Sequence, residues 1–263
     1  MMNEDSQSEA SQFSTHSFML ARTLEEIPGF CEKLDQCLSK YKAAELRQSK
    51  SARISQKLSK NERAFLDHLS LKEYEPLNII FSRIGDISSG AQQQIIKHLK
   101  KLQFIETVQE RTGKIFLRFA KLTDAGLDRI NKAKQKSSIR GDLTHTCACF
   151  LKRDLDLKRG AEESICEFQY PNSSGFSDIG SRFNGKWHCT EVVVNCTSNV
   201  CHHVKSCFVD AAGHVETLTI VTLLKSEHKK ILQRIMSVPD LVFFVNRIKF
   251  ITLEQIIKEL YEK

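Results

Sequence analysis

With 263 residues, 41% of them hydrophobic and 27% charged, the chain is long enough for one large or two ordinary domains with a normal core, and its composition is neither fibrous nor disordered. A formal net charge of +7 permits nucleic-acid binding without requiring it. No run of eighteen apolar residues is present, which argues against a transmembrane helix. Residues 1–17 are polar and mildly acidic and hold no apolar stretch of signal-peptide type. The 9 cysteines, an odd number, give no disulfide framework, so a reducing cytoplasm is the expected compartment.

Residues 1–23, rich in Ser, Gln and Glu, read as a flexible tail. The segment 24–60 has helical character, with Leu24, Ile27, Phe30, Leu34 and Leu38 apolar and Pro28 where a first turn accepts it. Its end, 50–60, is a Ser/Lys/Arg stretch suited to a junction. A regular plan follows over 61–137. Phe65 and Leu69, four apart, predict a helix over 62–69. Leu77, Ile80, Phe81 and Ile84 predict a second over 77–84, and Ser88 or Ser89 can cap a third running to Leu102. Strands are expected over 104–108 and 115–119 about a charged hairpin tip at 109–114, and Thr123 opens a last helix through Leu127 and Ile130.

Positive charge is concentrated in this region. From Ser88 to Arg140, twelve Lys or Arg stand against four acids, a local excess of eight that attracts phosphate. Three helices, a two-stranded wing and a further helix, with the exit Leu102-Gln103-Phe104-Ile105-Glu106 and the run Leu122-Thr123-Asp124-Ala125-Gly126, resemble the winged helix-turn-helix domains of MarR-like transcription regulators. The resemblance covers just over a quarter of the chain. A helix fits the major groove, where Gln and Lys read base edges, so Gln92, Gln93 and Lys97 are expected nearest the bases. Lys100, Arg111, Lys114 and Arg118 are expected at phosphates, and Ser88 and Ser89 at the helix start suit a phosphate as well. A winged helix used for protein contacts alone is the competing reading.

From Ser138 the period changes. Helices are expected over 143–151, 199–209, 226–236 and 253–260, and strands over 164–168, 187–195, 215–223 and 241–245. Strands separated by helices argue for an α/β layer with parallel neighbours. Arg140-Gly141-Asp142-Leu143-Thr144-His145, then Ser177-Asp178-Ile179-Gly180, then Thr190-Glu191-Val192-Val193-Val194-Asn195 and a helix carrying Asn199, Val200 and Lys205 are similar to the restriction-endonuclease-like superfamily, also called PD-(D/E)xK. Small versions in mobile-element proteins are the nearest in pattern. The resemblance spans about 141–231 and implies that Asp178 and Glu191 hold a divalent metal, magnesium or manganese, which activates water at a scissile phosphate. It departs from the family at Val193, where a Lys is expected. Lys205, on the next helix, is the implied replacement, and His145 is placed near the site. That departure leaves open a catalytically degenerate domain that contacts DNA or dimerises without cutting.

Cys147 and Cys149, His188 and Cys189, and the run Cys196, Cys201, His202, His203 and Cys207 make the second half rich in metal-ligand types. The spacing is not a repeated Cys-x-x-Cys, and Cys201 and Cys207 lie nearly two helical turns apart, so zinc is disfavoured against buried thiols. No Gly-rich run ends in Gly-Lys-Ser or Gly-Lys-Thr. Asn195-Cys196-Thr197 reads as a chance glycosylation match. The expected architecture is an α+β winged helix-turn-helix domain (61–137) joined to an α/β restriction-endonuclease-like domain (138–263). The preferred function is double-stranded DNA binding without an obligatory cofactor, by a homo-oligomeric transcriptional regulator or mobile-element accessory protein that has no membrane partner. A metal-dependent DNA endonuclease is the rival, and an assembly adaptor without catalysis the third reading.

Overall fold

The computed structural model describes residues 57–72, 74–112, 115–133, 141–171, 173–194, 199–211 and 213–262, with 32, 35–36 and 39–40. The last five belong to a separate unit, Met1–Lys57, and are helical, within the segment expected to be helical. The tail 1–23, the hairpin tip with Gly113 and Lys114, the basic residues Lys134, Lys136 and Arg140, and Asn195-Cys196-Thr197 lie outside the described residues. Everything below concerns the second compact unit, Leu58–Lys263.

Its first part is built by local signals. Helix α1 (Lys60–Leu71) starts on Ser59, whose hydroxyl accepts from the Glu62 N–H while the Glu62 carboxylate accepts from the Ser59 N–H, a reciprocal cap that satisfies two orphan donors. Helix α2 (Leu77–Ile84) follows Pro76 directly and stops at Gly85, where φ is 143°. Helix α3 (Ser89–Lys101) is capped by the Ser88 hydroxyl. Phe65, Leu69, Ile80, Phe81, Ile95 and Leu99 close the core between them, with the Phe65 and Phe81 rings stacked at 5.1 Å. Strands β1 (Ile105–Thr112) and β2 (Ile115–Leu122) pair antiparallel, and α4 (Asp124–Arg129) follows, capped by Thr123. A Cβ at Gly126 would stand 2.1 Å from the Phe104 carbonyl oxygen, so only glycine lets α4 sit this close to the strand entry. The order is that of a winged helix-turn-helix.

The second part is a mixed α/β layer. Helix α5 (Leu143–Lys158) leads into β3 (Glu163–Gln169), β4 (Phe176–Phe183) and β5 (Lys186–Val193). Helix α6 (Val200–Lys205) runs on as one π-helical turn, Ser206–Asp210, and is followed by β6 (Val215–Thr222) and α7 (Lys225–Met236). A 3₁₀ segment (Pro239–Arg247), β7 (Ile248–Thr252) and α8 (Leu253–Tyr261) complete the chain. The sheet order is β3-β4-β5-β6-β7, with β3, β4 and β5 antiparallel and β5, β6 and β7 parallel. One face, with Ile179, Val192, Val221 and Ile251, packs on Leu151 and Leu155 of α5 and Leu253 and Ile256 of α8. The other, with Cys189, Leu218 and Ile220, packs on α6 and α7 through Val200, Val204, Ile231 and Ile235. None of the helices among the described residues is long and apolar enough to cross a membrane.

The two parts share a wall. Successive residues of a strand face opposite ways. In β2, Ala120 and Leu122 enter the three-helix core, whereas Leu117 and Phe119 enter the core of α5, beside Cys147, Ala148 and Leu151. Around this wall the Tyr74 ring stacks on Phe150 at 4.8 Å and its hydroxyl donates to Asp154 at 2.9 Å. Glu75, 0% exposed, pairs with His68 at 2.9 Å and Arg83 at 3.0 Å and accepts from the Tyr261 hydroxyl at 3.2 Å.

One expectation is corrected. Residues 241–245 are not a strand but part of the 3₁₀ segment. Pro239 sets its first turn, and Leu241, Phe244 and Val245 reach the core at helical spacing while Phe243 stays 83% exposed. The edge strand is instead β7, immediately after it. The expected parallel neighbours are β5, β6 and β7, and the sheet is mixed because β4, which the residue pattern did not mark as a strand, turns the chain back between β3 and β5.

Candidate functional site

The antiparallel register of β4 and β5 sets Ile179 opposite Thr190, which brings Asp178 beside Glu191 at the end of that ladder, on one face of the sheet. This is the carboxyl end of β5, where the chain leaves for α6 and where open α/β sheets place ligands. A cleft of about 280 Å³ opens there, lined by Asp142, His145, Asp178, Glu191, Val193 and His203 among others. The structure thus brings the two expected carboxylates and His145 together.

Each carboxylate is held by a histidine. Asp178 Oδ2 accepts from the Val192 N–H at 2.7 Å and meets His145 Nε2 at 3.2 Å. Glu191 Oε2 meets His203 Nδ1 at 3.1 Å. Glu191 Oε1 is buried and has no hydrogen-bond partner. Burial disfavours the Glu191 carboxylate, and although the His203 contact works the other way, its pKa is pushed up to about 7. His203 is shifted upward by its bond to Glu191. Burial opposes a charged His145, but its bond to Asp178 and that carboxylate's charge outweigh it and raise its pKa.

A group able to hold a metal ion is present. One ligand atom each of His145, Cys149 and Asp178 lies within 4.8 Å of the others. His145 and Cys149 are one helical turn apart on α5, with Nδ1 to Sγ at 3.7 Å. The Cys149 thiol is pushed up by burial and then by Asp178, so a metal held there would have to displace its proton. The unpartnered Glu191 oxygen in the same cleft fits a hard cation as well, since a buried acceptor without a donor is otherwise costly. Cys201 and Cys207 do not join this group. Cys201 Sγ contacts the Arg234 carbonyl at 3.7 Å, and Cys207 is buried in the core.

Lys205 is exposed and is not among the residues lining the cleft. His203 precedes it by two positions on α6, and residues two apart point to different sides of a helix. The sequence reading named Cys149 and His203 as metal-ligand types but did not place them at this site. The spacing His145-x-x-x-Cys149 on one helix was a usable signal. His203 had none, since Glu191 fixes its role only in three dimensions.

On the winged helix, Ser88, Ser89, Gln93, Lys97 and Lys100 are exposed along α3 and its cap, and Arg111 and Arg118 are exposed on the hairpin. Gln92 is half-buried and donates to the Ile87 carbonyl at 2.7 Å, so its amide is already engaged. Gln94 and Lys101, not singled out from sequence, are exposed on the same helix. Lys114 lies outside the described residues.

No protein-family model matches the chain, and no curated protein matches it significantly. Among solved structures, the PcaV transcriptional regulator from Streptomyces coelicolor in complex with its natural ligand is similar at 15% identity over 41% of this chain and 71% of that one, with a TM-score of 0.27. Protein VC1899 from Vibrio cholerae is similar at 10% identity over 80% of this chain and 54% of that one, with a TM-score of 0.34. At such low TM-scores these likenesses establish neither a family nor a function, and the functional reading rests on the geometry above.

Proposed function

We propose that the chain is a double-stranded-DNA-binding protein whose sheet domain carries a divalent-metal-dependent phosphodiesterase centre at Asp178 and Glu191. One observation carries this reading: two carboxylates from adjacent strands converge at the carboxyl end of β5, each held by a histidine, with one buried Glu191 oxygen unpartnered. The element order α5-β3-β4-β5-α6-β6, an antiparallel meander followed by a parallel crossover, supports the restriction-endonuclease-like reading of this part. Asp178 and Glu191 would hold magnesium or manganese, hard cations that prefer oxygen. His145, Cys149 and Asp178 would suit a softer ion such as zinc. When bound, the metal supplies an activated water and neutralises charge at the phosphate. The protein's own part is to orient the carboxylates through His145 and His203 and to hold protons at His145 Nε2 and His203 Nδ1. On α3, Gln93 and Lys97 are the side chains best exposed to read bases, with Lys100, Arg111, Arg118 and Lys114 for phosphates.

The test is cleavage of supercoiled duplex DNA with magnesium, manganese or zinc. Wild type is expected to nick the plasmid with manganese, whereas Asp178→Asn and Glu191→Gln retard it without nicking. Retardation by wild type with no cleavage under any of the three ions would sink the nuclease and leave a DNA-binding regulator or mobile-element accessory protein. Val193 in place of the family Lys, and Lys205 away from the cleft, favour that second reading. As a two-fold dimer it would present two half-site helices. In either case the double substitution of Lys100 and Arg118 by Glu is expected to lower duplex affinity and reduce the salt slope by roughly two phosphate contacts.

A further inference from the structure

A second cleft, of about 540 Å³, lies over the opposite face of the same sheet. Along β5 the residues alternate, so His188 and Thr190 face it while Glu191 faces the other way. The parallel register aligns His188 with Thr217, and Thr190 with Thr219 and Lys249, giving two polar rows across β5, β6 and β7. Two residues further along these strands the same face carries Val192, Val221 and Ile251, the apolar set covered by α5 and α8. The face thus changes from aliphatic to hydroxyl, imidazole and ammonium where the helices leave it uncovered.

The wall is formed by α5. Lys152, only 3% exposed, lines the cleft and is neutralised by Asp156, which also accepts from the Ser181 hydroxyl at 2.8 Å. Two other cations at the cleft are also paired, Arg159 with Glu259 at 2.5 Å and Lys186 with Glu216 at 3.3 Å. Lys249 is different. It forms no ion pair among the described residues, and the hydroxyl of its row neighbour Thr219 makes no hydrogen bond among them either, whereas Thr190, 1% exposed, is closed off in the same row. His188 is fixed, with Nδ1 on the Thr217 hydroxyl at 2.8 Å and Phe183 edge-on to its ring at 5.4 Å, which leaves Nε2 for a ligand. Burial, then Lys249, holds the imidazole below its ordinary pKa, so it enters as a neutral group.

We propose that this cleft is a binding site for a small phosphorylated molecule, its phosphate held by Lys249 and the hydroxyl of Thr219 beside His188. An ammonium, a free hydroxyl and an imidazole from three adjacent strands form a donor set in two dimensions. A phosphate, with three acceptor oxygens, satisfies that set better than a planar carboxylate does. The volume falls within the range of small-molecule sites, and its floor is a sheet face walled by α5, which suits a compact ligand rather than a duplex. The inference does not depend on the nuclease reading, since no residue of the Asp178 and Glu191 cleft takes part.

The experiment is isothermal titration of the full chain with pyrophosphate and with adenosine monophosphate, in buffer free of divalent cations, with citrate as the carboxylate control. Binding of either phosphate is expected to weaken by about tenfold or more in Lys249→Ala and in Thr219→Val, with unchanged melting temperature and unchanged duplex affinity. Thr219→Val keeps shape and removes only the hydroxyl, so it guards against a folding artefact. The proposal is overturned if neither phosphate binds, if citrate binds as tightly, or if both variants bind as wild type does. A loss of duplex affinity in Lys249→Ala, with pyrophosphate binding intact, would assign Lys249 to the DNA backbone instead.

Discussion

Glu75 and Glu191 are both enclosed, at 0% and 3% exposure, yet the protein treats them in opposite ways. Glu75 sits at the junction of the two parts with both oxygens occupied: Oε1 takes Lys72, Arg83 and Tyr261, and Oε2 takes His68. Glu191 sits at the end of a ladder with Oε2 on His203 and Oε1 on nothing. A buried carboxylate held for structure is saturated with donors, because each unmet lone pair costs stability. One left half-satisfied, with its pKa lifted to about 7 by burial, has the character of a functional group. Glu62 belongs with Glu75, since its Oε2 takes the Ser59 N–H and its Oε1 takes His98.

Substitutions at the three glutamates test this contrast. Glu75→Ala strands Arg83, His68 and the Tyr261 hydroxyl at a buried junction and is expected to lose roughly 3–5 kcal/mol of stability in urea melts. A loss below about 1 kcal/mol would place Glu75 with the ordinary surface pairs. Glu62→Gln weakens a helix cap and its His98 contact, for about 1 kcal/mol near neutral pH. Its pH dependence has a definite sign. Burial works to raise the Glu62 pKa, but the bonds from His98 and Ser59 outweigh it and hold the carboxyl below its usual 4.5. A depressed folded pKa contributes stability above the unfolded value that is lost as pH falls through the folded one. The gap between wild type and Glu62→Gln is therefore expected to close in acid melts. Glu191→Gln comes last, within about 0.5 kcal/mol of wild type, since it removes a strained charge rather than a saturated one. Manganese is expected to raise the melting temperature of wild type but not of this variant. A large loss of stability in metal-free Glu191→Gln would erase the contrast.

The winged-helix part was readable because its signals are local. Ser59, Ser88 and Thr123 cap helices in place, and Phe65, Leu69, Ile80, Phe81, Ile95 and Leu99 repeat at helical spacing. Asp178 and Glu191 were readable because a motif carried them. β4 was not: Ser, Asp, Gly and Arg fill five of its eight positions, residues of low strand preference whose pairing is imposed by β3 and β5. Gly180 shows why, since a Cβ there would strike the Phe168 ring at 2.2 Å, a demand set by the neighbouring strand. His203 and the polar rows beneath Lys249 were illegible for the same reason, because strand register makes them.

The hairpin wall has one more consequence. With Ala120 and Leu122 committed to one side and Leu117 and Phe119 to the other, neither half of Leu58–Lys263 owns a finished surface. A chain cut between them would bare Leu117 and Phe119 on one fragment and Cys147, Ala148 and Leu151 on the other, both prone to aggregate. The two halves are therefore expected to melt in a single transition by calorimetry. Recombination cannot trade the winged-helix half for another as a loose cassette; it must carry the matching face of α5 along with it.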